Sequence, residues 1–293
     1  MSQTFERAEK VLGSNCALFS EHELMLIELL SAHNNAHLFE NWDACGENDD
    51  AKIKFVGTLM HADASYPGGL ASYIENAQKL LAQSKAGSNP FEGFVPEQPD
   101  IFDVTALDKE YLSYEATTLE HLDTIGFVMV AGGLGERLGY NGIKIDIPFE
   151  GITGQTYLQY YCESIKALEQ KATTQTVIPF IIMTSQDTHE KTMASLEQHN
   201  YYGLSPEQVH VLKQELVPAI ASNDGALALD AQYQLALKPH GHGDIHMLNH
   251  TSGIAQKMYD AGKKYLMFIQ DTNGQAMNAA LALFGISIDH QLD

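Results

Sequence analysis

Apolar residues follow two different rhythms along this chain, and the change between them falls near residue 125. Ahead of it the spacing is helical. Ser20-Glu21-His22-Glu23 has the form of a capping box, and Leu24, Ile27 and Leu30 follow on one face. Asp43 to Lys52 is polar and reads as a loop. Tyr66-Pro67-Gly68-Gly69 reads as a turn, and Leu70, Ile74, Ala77, Leu80 and Leu81 then predict a helix over 70–81. Residues 83–99, rich in Gly, Ser and Pro, read as a linker. Residues 101–122 mix polar and apolar positions. The expectation is a mainly helical N-terminal region over 1–120.

From Ile125 onward short apolar runs alternate with helical stretches. Strands are predicted at Phe127–Ala131, Ile178–Met183, Val209–Gln214 and Lys264–Gln270. Helical patterns separate them at Thr156–Leu168, Asp187–Gln198 and Ile254–Ala261. Pro179 stands at the start of its strand, where a missing N–H is tolerated. Alternation of this kind predicts an α/β fold with a doubly wound, mainly parallel, Rossmann-like sheet over 121–293. Ligands of such sheets sit beyond the carboxyl ends of the strands. Ile286–Asp293 alternates apolar and polar residues without a capping element, which suggests a sheet incomplete at its C-terminus.

The first of these strands empties into Gly132-Gly133-Leu134-Gly135-Glu136-Arg137-Leu138-Gly139, followed by Tyr140-Asn141-Gly142-Ile143-Lys144. Glycines let backbone N–H groups approach an anion closely, and Arg137 and Lys144 offer charge to the same anion. A polyphosphate fits that description. A dinucleotide fingerprint would need glycine at 138, where Leu138 stands, which weighs against a nicotinamide-dependent oxidoreductase. A P-loop would need Lys followed by Ser or Thr, and Ile145 follows Lys144. The bland alternative is an ordinary glycine-rich strand-to-helix turn with two surface cations.

Charge narrows the partners. The net charge is −21, and residues 1–124 carry 21 acidic against 7 basic side chains. Without a basic run, neither nucleic acid nor an anionic membrane is expected as principal partner, and no protein partner is evident. A bound nucleotide then needs local cations, most simply Mg²⁺. Cys16, Cys45 and Cys162 are widely separated and form no C-x-x-C, so reduced thiols and a cytoplasmic location are expected. The first residues show no signal-peptide core, and Leu24–Leu30 is too short to span a bilayer. His240, His242, His246 and His250 invite a zinc reading, but Gly241 and Gly243 between them suit a backbone that approaches a ligand.

Six separated segments resemble the UDP-sugar pyrophosphorylases, relatives of UDP-glucose pyrophosphorylase. They are Tyr66–Leu70, Val130–Lys144, Ile182–His189, Leu212–Gln214, Lys238–Asp244 and Phe268–Asn273. The resemblance implies a nucleotide-diphospho-sugar transferase fold and a uridylyltransferase reaction, in which UTP and a sugar 1-phosphate give a UDP-sugar and pyrophosphate with Mg²⁺. It implies that Gly132 and Gly133 face the nucleotide, that Gly135 and Arg137 grip the pyrophosphate side of UTP, and that Lys144 neutralises charge during transfer. Gln214 resembles the glutamine that reads uracil, and Gly241 and His242 resemble the segment touching base and α-phosphate. Asp271 is the metal ligand so implied, with Thr272 and Asn273 near sugar or phosphate. Here the sequence departs from the pattern, because relatives carry the acidic residue directly before asparagine and Thr272 intervenes. The family also continues well past residue 293, so this chain alone is expected to turn over weakly or not at all.

Overall fold

The structure is a computed structural model that describes residues 5–98, 101–102 and 108–292. In chain order it holds α1 (Glu6–Leu12), α2 (Glu21–Ala32), α3 (Asp49–Ser65), α4 (Gly69–Lys85), α5 (Lys109–Glu120), β1 (Ile125–Ala131), α6 (Tyr157–Lys171), β2 (Phe180–Thr184), α7 (His189–Gln198) and β3 (Val209–Lys213). Four short strands follow: β4 (Leu216–Pro218), β5 (Leu229–Ala231), β6 (Gln234–Leu235) and β7 (Leu237–Pro239). Then come α8 (Asp244–Thr251), α9 (Ile254–Asp260), β8 (Tyr265–Gln270) and α10 (Gln275–His290). Packing divides the chain into two compact units, 1–96 with 215–240, and 97–214 with 241–293.

In the first unit α1 to α4 bury Ile27, Leu30, Phe39, Phe55, Leu59, Leu70 and Ile74. Each such side chain contributes about 2 kcal/mol by leaving water. The capping box at Ser20 forms both of its bonds, to and from Glu23. Val217, Leu227 and Leu235 enter the same core from the later segment. Polar bonds fix that segment: Asn35 Oδ1 accepts from the Leu227 N–H at 2.7 Å, and Tyr73 donates its hydroxyl to the Pro218 carbonyl at 2.6 Å. Its strands make two small antiparallel pairs, β4 with β7 and β5 with β6. The run expected as a loop over 43–52 ends early, because α3 begins at Asp49 and Lys52 lies fully buried. The Lys52 ammonium donates to Asn15 Oδ1, the Ala44 carbonyl and Asp49 Oδ1, which uses its three hydrogens.

The second unit is a four-stranded parallel sheet in the order β3-β2-β1-β8. β1 is flanked on both sides and covered on both faces, which is why its sequence is an unbroken apolar run. Phe127, Met129 and Ala131 face a layer containing Tyr161 and Ile165 of α6, Leu196 of α7 and Phe284 of α10. Val128 packs on the other face with Ile181, Met183, Ile245 of α8 and Met258 of α9. The doubly wound expectation holds. α5 also belongs to this unit, lying along α10 where Gly285 leaves room for the Tyr114 carbonyl. Packing therefore does not follow a single division at residue 120. Residues 286–290, read as alternating, complete α10 and pack Ile286 with Tyr111 and Tyr114 of α5.

The strand order contains the feature that locates a site. From β1 the chain moves outward through β2 to β3, then returns to place β8 on the opposite side of β1. The segments after β1 and β8 therefore emerge side by side at the carboxyl ends of neighbouring strands, where the strand order reverses and such sheets bind ligands.

Candidate nucleotide site

The loop after β1 is closed by its own backbone. The Gly135 N–H donates to the Gly142 carbonyl at 2.8 Å and the Lys144 N–H to the Gly133 carbonyl at 3.4 Å, so Leu134 and Ile143 pair as an isolated bridge. Tyr140 packs inside the turn, its ring 3.0 Å from where a Cβ on Gly135 would stand and 2.7 Å from one on Gly142. Gly135 thus gives the loop its closure, and its N–H is already taken. Among the described residues no backbone carbonyl accepts from the N–H groups of Gly132 or Gly133. Those two donors stay open at the strand end.

Lys144 lies over Gly133. A Cβ there would come within 2.8 Å of the ammonium nitrogen and 3.0 Å of Cε, so only glycine leaves this path clear. The ammonium reaches Asp271 Oδ2 at 3.8 Å, across the crevice between the ends of β1 and β8. Asp271 is 3 % exposed, and burial pushes its pKa above the ordinary carboxylate value. Lys144, the hydroxyl and N–H of Thr272, and His242 partly offset that rise. The backbone beneath is held by Tyr161, whose hydroxyl donates to the carbonyls of Gln270 and Asp271 at 3.1 and 3.3 Å.

Gln214 follows β3 and is buried, its N–H donating to the Thr184 carbonyl at 2.7 Å. Its side-chain nitrogen donates to the Gly241 carbonyl at 2.8 Å and to Asp244 Oδ2 at 2.7 Å. Both partners are acceptors, so the amide orientation is set, and Oε1 is turned toward Gly132, 4.0 Å from its Cβ position. The expectation that this amide offers a donor and an acceptor to a base changes accordingly: the oxygen is what remains. Gly241 sits at φ +116°, a backbone geometry that L side chains rarely adopt, with exposed His242 next to it.

The other expected residues spread outward from this centre. Arg137 is exposed in the short helical turn Glu136–Leu138 and forms no ion pair among the described residues. Thr272 Oγ1 donates to Asp271 Oδ1 at 3.4 Å, and exposed Asn273 donates its N–H to the Gln270 carbonyl at 3.2 Å. Of the four histidines, His240 falls in the first unit, while His246 lays its ring against Phe268 with centroids 4.8 Å apart. Among the described residues no group of three or more His, Cys, Asp or Glu could hold a metal ion by itself. A buried carboxylate beside an ammonium and open N–H donors does suit Mg²⁺ carried on a polyphosphate, since Mg²⁺ takes one or two carboxylates and completes its shell with phosphate oxygens and water.

Loop, lysine and buried carboxylate meet at the switch point of a parallel sheet, and comparison with known proteins gives that arrangement a family. The model of the UTP--glucose-1-phosphate uridylyltransferase family matches residues 76–293. The chain belongs to this family. It is similar to a UDP-sugar pyrophosphorylase of Oryza sativa subsp. japonica, 46% identical over 284 residues that make 94% of this chain and 46% of the rice protein. The corresponding Arabidopsis thaliana protein is 43% identical over 299 residues, 99% of this chain and 49% of the other. The chain thus spans about half the length of these curated relatives. Among solved structures, the UDP-N-acetylglucosamine pyrophosphorylase of Trypanosoma brucei shares the fold at a TM-score of 0.69 and 20% identity, covering 93% of this chain and 56% of that one. A variant of Leishmania major UDP-glucose pyrophosphorylase in complex with UDP-glucose gives 0.53 at 21% identity, covering 76% of this chain and 43% of that one.

Within this uridylyltransferase-family chain, three residues of the site escaped the sequence reading. Tyr161 and Tyr140 act by supporting backbone, and nothing distinguishes them from other core or loop tyrosines until the packing is known. Asp244 was legible only as the last residue of the Pro-His-Gly-His-Gly-Asp run, and its contact with Gln214 spans 30 positions.

Proposed function

We propose that this chain carries the UTP half of a uridylyltransferase site, and that the complete reaction converts UTP and a monosaccharide 1-phosphate to a UDP-sugar and pyrophosphate. The observation that supports it most is the convergence of two open N–H groups, the Lys144 ammonium, Asp271 and the outward Gln214 oxygen at the carboxyl ends of β1, β8 and β3. An oxygen of the sugar phosphate attacks the α-phosphorus, the bond to the bridging oxygen breaks, and pyrophosphate leaves with the electron pair. The attacking group is already an anion, so no general base is required. Catalysis then reduces to positioning and charge stabilisation. Gly132 and Gly133 offer N–H donors, Lys144 balances charge on the phosphates, and exposed Arg137, on the same loop, serves the pyrophosphate end.

Asp271 would hold Mg²⁺, which when bound screens the phosphates from the incoming anion. Lys144 at 3.8 Å favours the ionised form of that carboxylate and partly offsets its burial. Because the chain spans about half of its relatives, we place most of the sugar-phosphate site outside it and expect weak or no turnover. A cytoplasmic location completes this reading. The three cysteines are all free, and among the described residues no helix is long and apolar enough to cross a membrane.

Calorimetric titration of UTP with Mg²⁺, against ATP and NAD, tests the proposal. UTP preference that weakens in Lys144→Ala supports the nucleotide half-site. NAD preference, or equal binding of all three, overturns it. Pyrophosphate release at the rate of a full-length relative would overturn the expectation about turnover.

A further inference from the structure

The Gln214 amide can be read by a base in either of two ways, because a half-turn about its last bond exchanges oxygen and NH₂. What selects one orientation is the pair of acceptors behind it. Gly241 supplies a carbonyl at 2.8 Å and Asp244 a carboxylate oxygen at 2.7 Å. Turning the amide would set its oxygen against a carbonyl and a carboxylate, two acceptors, and forfeit both hydrogen bonds. The carboxylate is the stronger of the two holds, since a hydrogen bond to an ionised acceptor is roughly twice as strong as a neutral one. Gln214 and Asp244 are 6 % and 8 % exposed, so water does not readily substitute for either partner.

The consequence is chemical. A nucleobase entering beside Gly132 meets the Gln214 oxygen as an acceptor. Uracil carries N3–H, a donor, at its pairing edge, whereas cytosine carries an N3 lone pair there. Resting on the UTP reading above, we infer that Asp244 is the specificity-determining positioning residue of this site: by holding the Gln214 nitrogen it makes the pocket select a ring N–H and reject a ring lone pair. Asp244 is also the first residue of α8, where an acidic side chain is favourable in any protein. A role confined to the helix would alter stability or overall affinity but not the ratio between two bases.

The test is calorimetric titration of the chain with UTP and with CTP, both with Mg²⁺. Asp244→Asn keeps shape and helix position, but its amide satisfies Gln214 in either orientation. The expected result is a fall of about tenfold in the UTP-to-CTP preference, equivalent to about 1.4 kcal/mol, arising largely from improved CTP binding. In a Gln214→Ala background the same substitution leaves the ratio unchanged, because Asp244 acts through that amide. Wild-type preference for UTP with an unaltered ratio in Asp244→Asn overturns the inference and spares the UTP site, as does an equal loss of both nucleotides. A wild-type chain without preference for UTP over CTP overturns both. Asp244→Glu, which restores the carboxylate, serves as the rescue and regains part of the ratio.

Discussion

Gly133→Ala isolates the close passage between the loop and Lys144. The backbone there is outside the left-handed region, so alanine is conformationally acceptable. The added methyl would lie 2.8, 3.0 and 3.5 Å from Nζ, Cε and Cδ of Lys144, against an ordinary separation of roughly 3.5–4.0 Å. The neighbour is the far end of a flexible side chain, 29% exposed, and it can swing outward. Folding therefore changes little, with a gain of about 0.4–1 kcal/mol from the less flexible unfolded chain set against the displaced lysine. The ammonium, however, leaves the position from which it reaches Asp271 and the phosphates. Loss of one charge-assisted hydrogen bond costs about 1.5–3 kcal/mol, or a Kd for Mg·UTP raised by about 10- to 150-fold. Titration calorimetry reads the affinity and thermal unfolding reads the fold. Combining the change with Lys144→Ala gives no additional loss, since both remove the same contact. An affinity within about threefold of wild type would refute the reasoning, and a Tm lowered by more than about 5 °C would show that backbone had moved instead.

Three other substitutions probe separate links. Gly132→Ala meets only ordinary contacts, the nearest being Ser185 Cβ at 3.7 Å, so stability should stay within about 1 kcal/mol. Its methyl stands before Gln214 Oε1, and UTP affinity measured by titration falls at least tenfold. Lys52→Met leaves Asn15 Oδ1 and the Ala44 carbonyl without their donor, for a loss of about 3 kcal/mol. Trp42, the only tryptophan, lies in the same core, and its fluorescence during urea unfolding reports the change. Asp271→Asn concerns pH. Because burial raises the Asp271 pKa from 3.8, the folded chain binds more protons than the unfolded one just above that value. The residue's contribution to stability is therefore greatest below the unfolded pKa and declines as pH rises through the folded one. The asparagine variant loses that decline and denatures at a higher temperature at pH 7, while Mg²⁺-dependent UTP binding disappears. A Tm at pH 7 below that of wild type would contradict the sign.

The α/β unit was legible because its strands are buried on both faces and leave unbroken apolar runs such as Phe127–Ala131. Its strand-end residues followed from the topology that alternation implies. What was not legible came from contacts distant in sequence. Residues 215–240 join helices more than 140 positions earlier through single bonds, Tyr73 to Pro218 and Asn35 to Leu227, which no local periodicity announces. Lys52 looked like part of a polar loop because a lysine gives no sign that three oxygens await it inside. At the site, residue types were readable and their present partners were not. Gln214 was expected at a strand end and follows β3, yet its amide hydrogens go to Gly241 and Asp244. Gly135 was expected to grip pyrophosphate, whereas its N–H closes the loop onto Gly142 against the Tyr140 side chain.

These details imply a division of labour between side chains that touch a ligand and those that constrain it. Asp271 is costly to the free protein, since burial disfavours its charge and one ammonium at 3.8 Å only partly compensates. Its backbone is nonetheless fixed by two bonds from Tyr161, and the lysine opposite is admitted only by the bare Gly133. A site organised for folding alone would have filled that space with an apolar side chain. A site organised to receive a metal and polyphosphate keeps an under-compensated carboxylate ready, because the incoming cation supplies the missing charge at binding. On the UTP reading the same logic extends to the base end, where both amide hydrogens of Gln214 are tied to Gly241 and Asp244 and its oxygen is left toward the ligand. On that reading selectivity and charge placement both depend on residues one step removed from the ligand, Asp244 at one end and Tyr161 and Gly133 at the other.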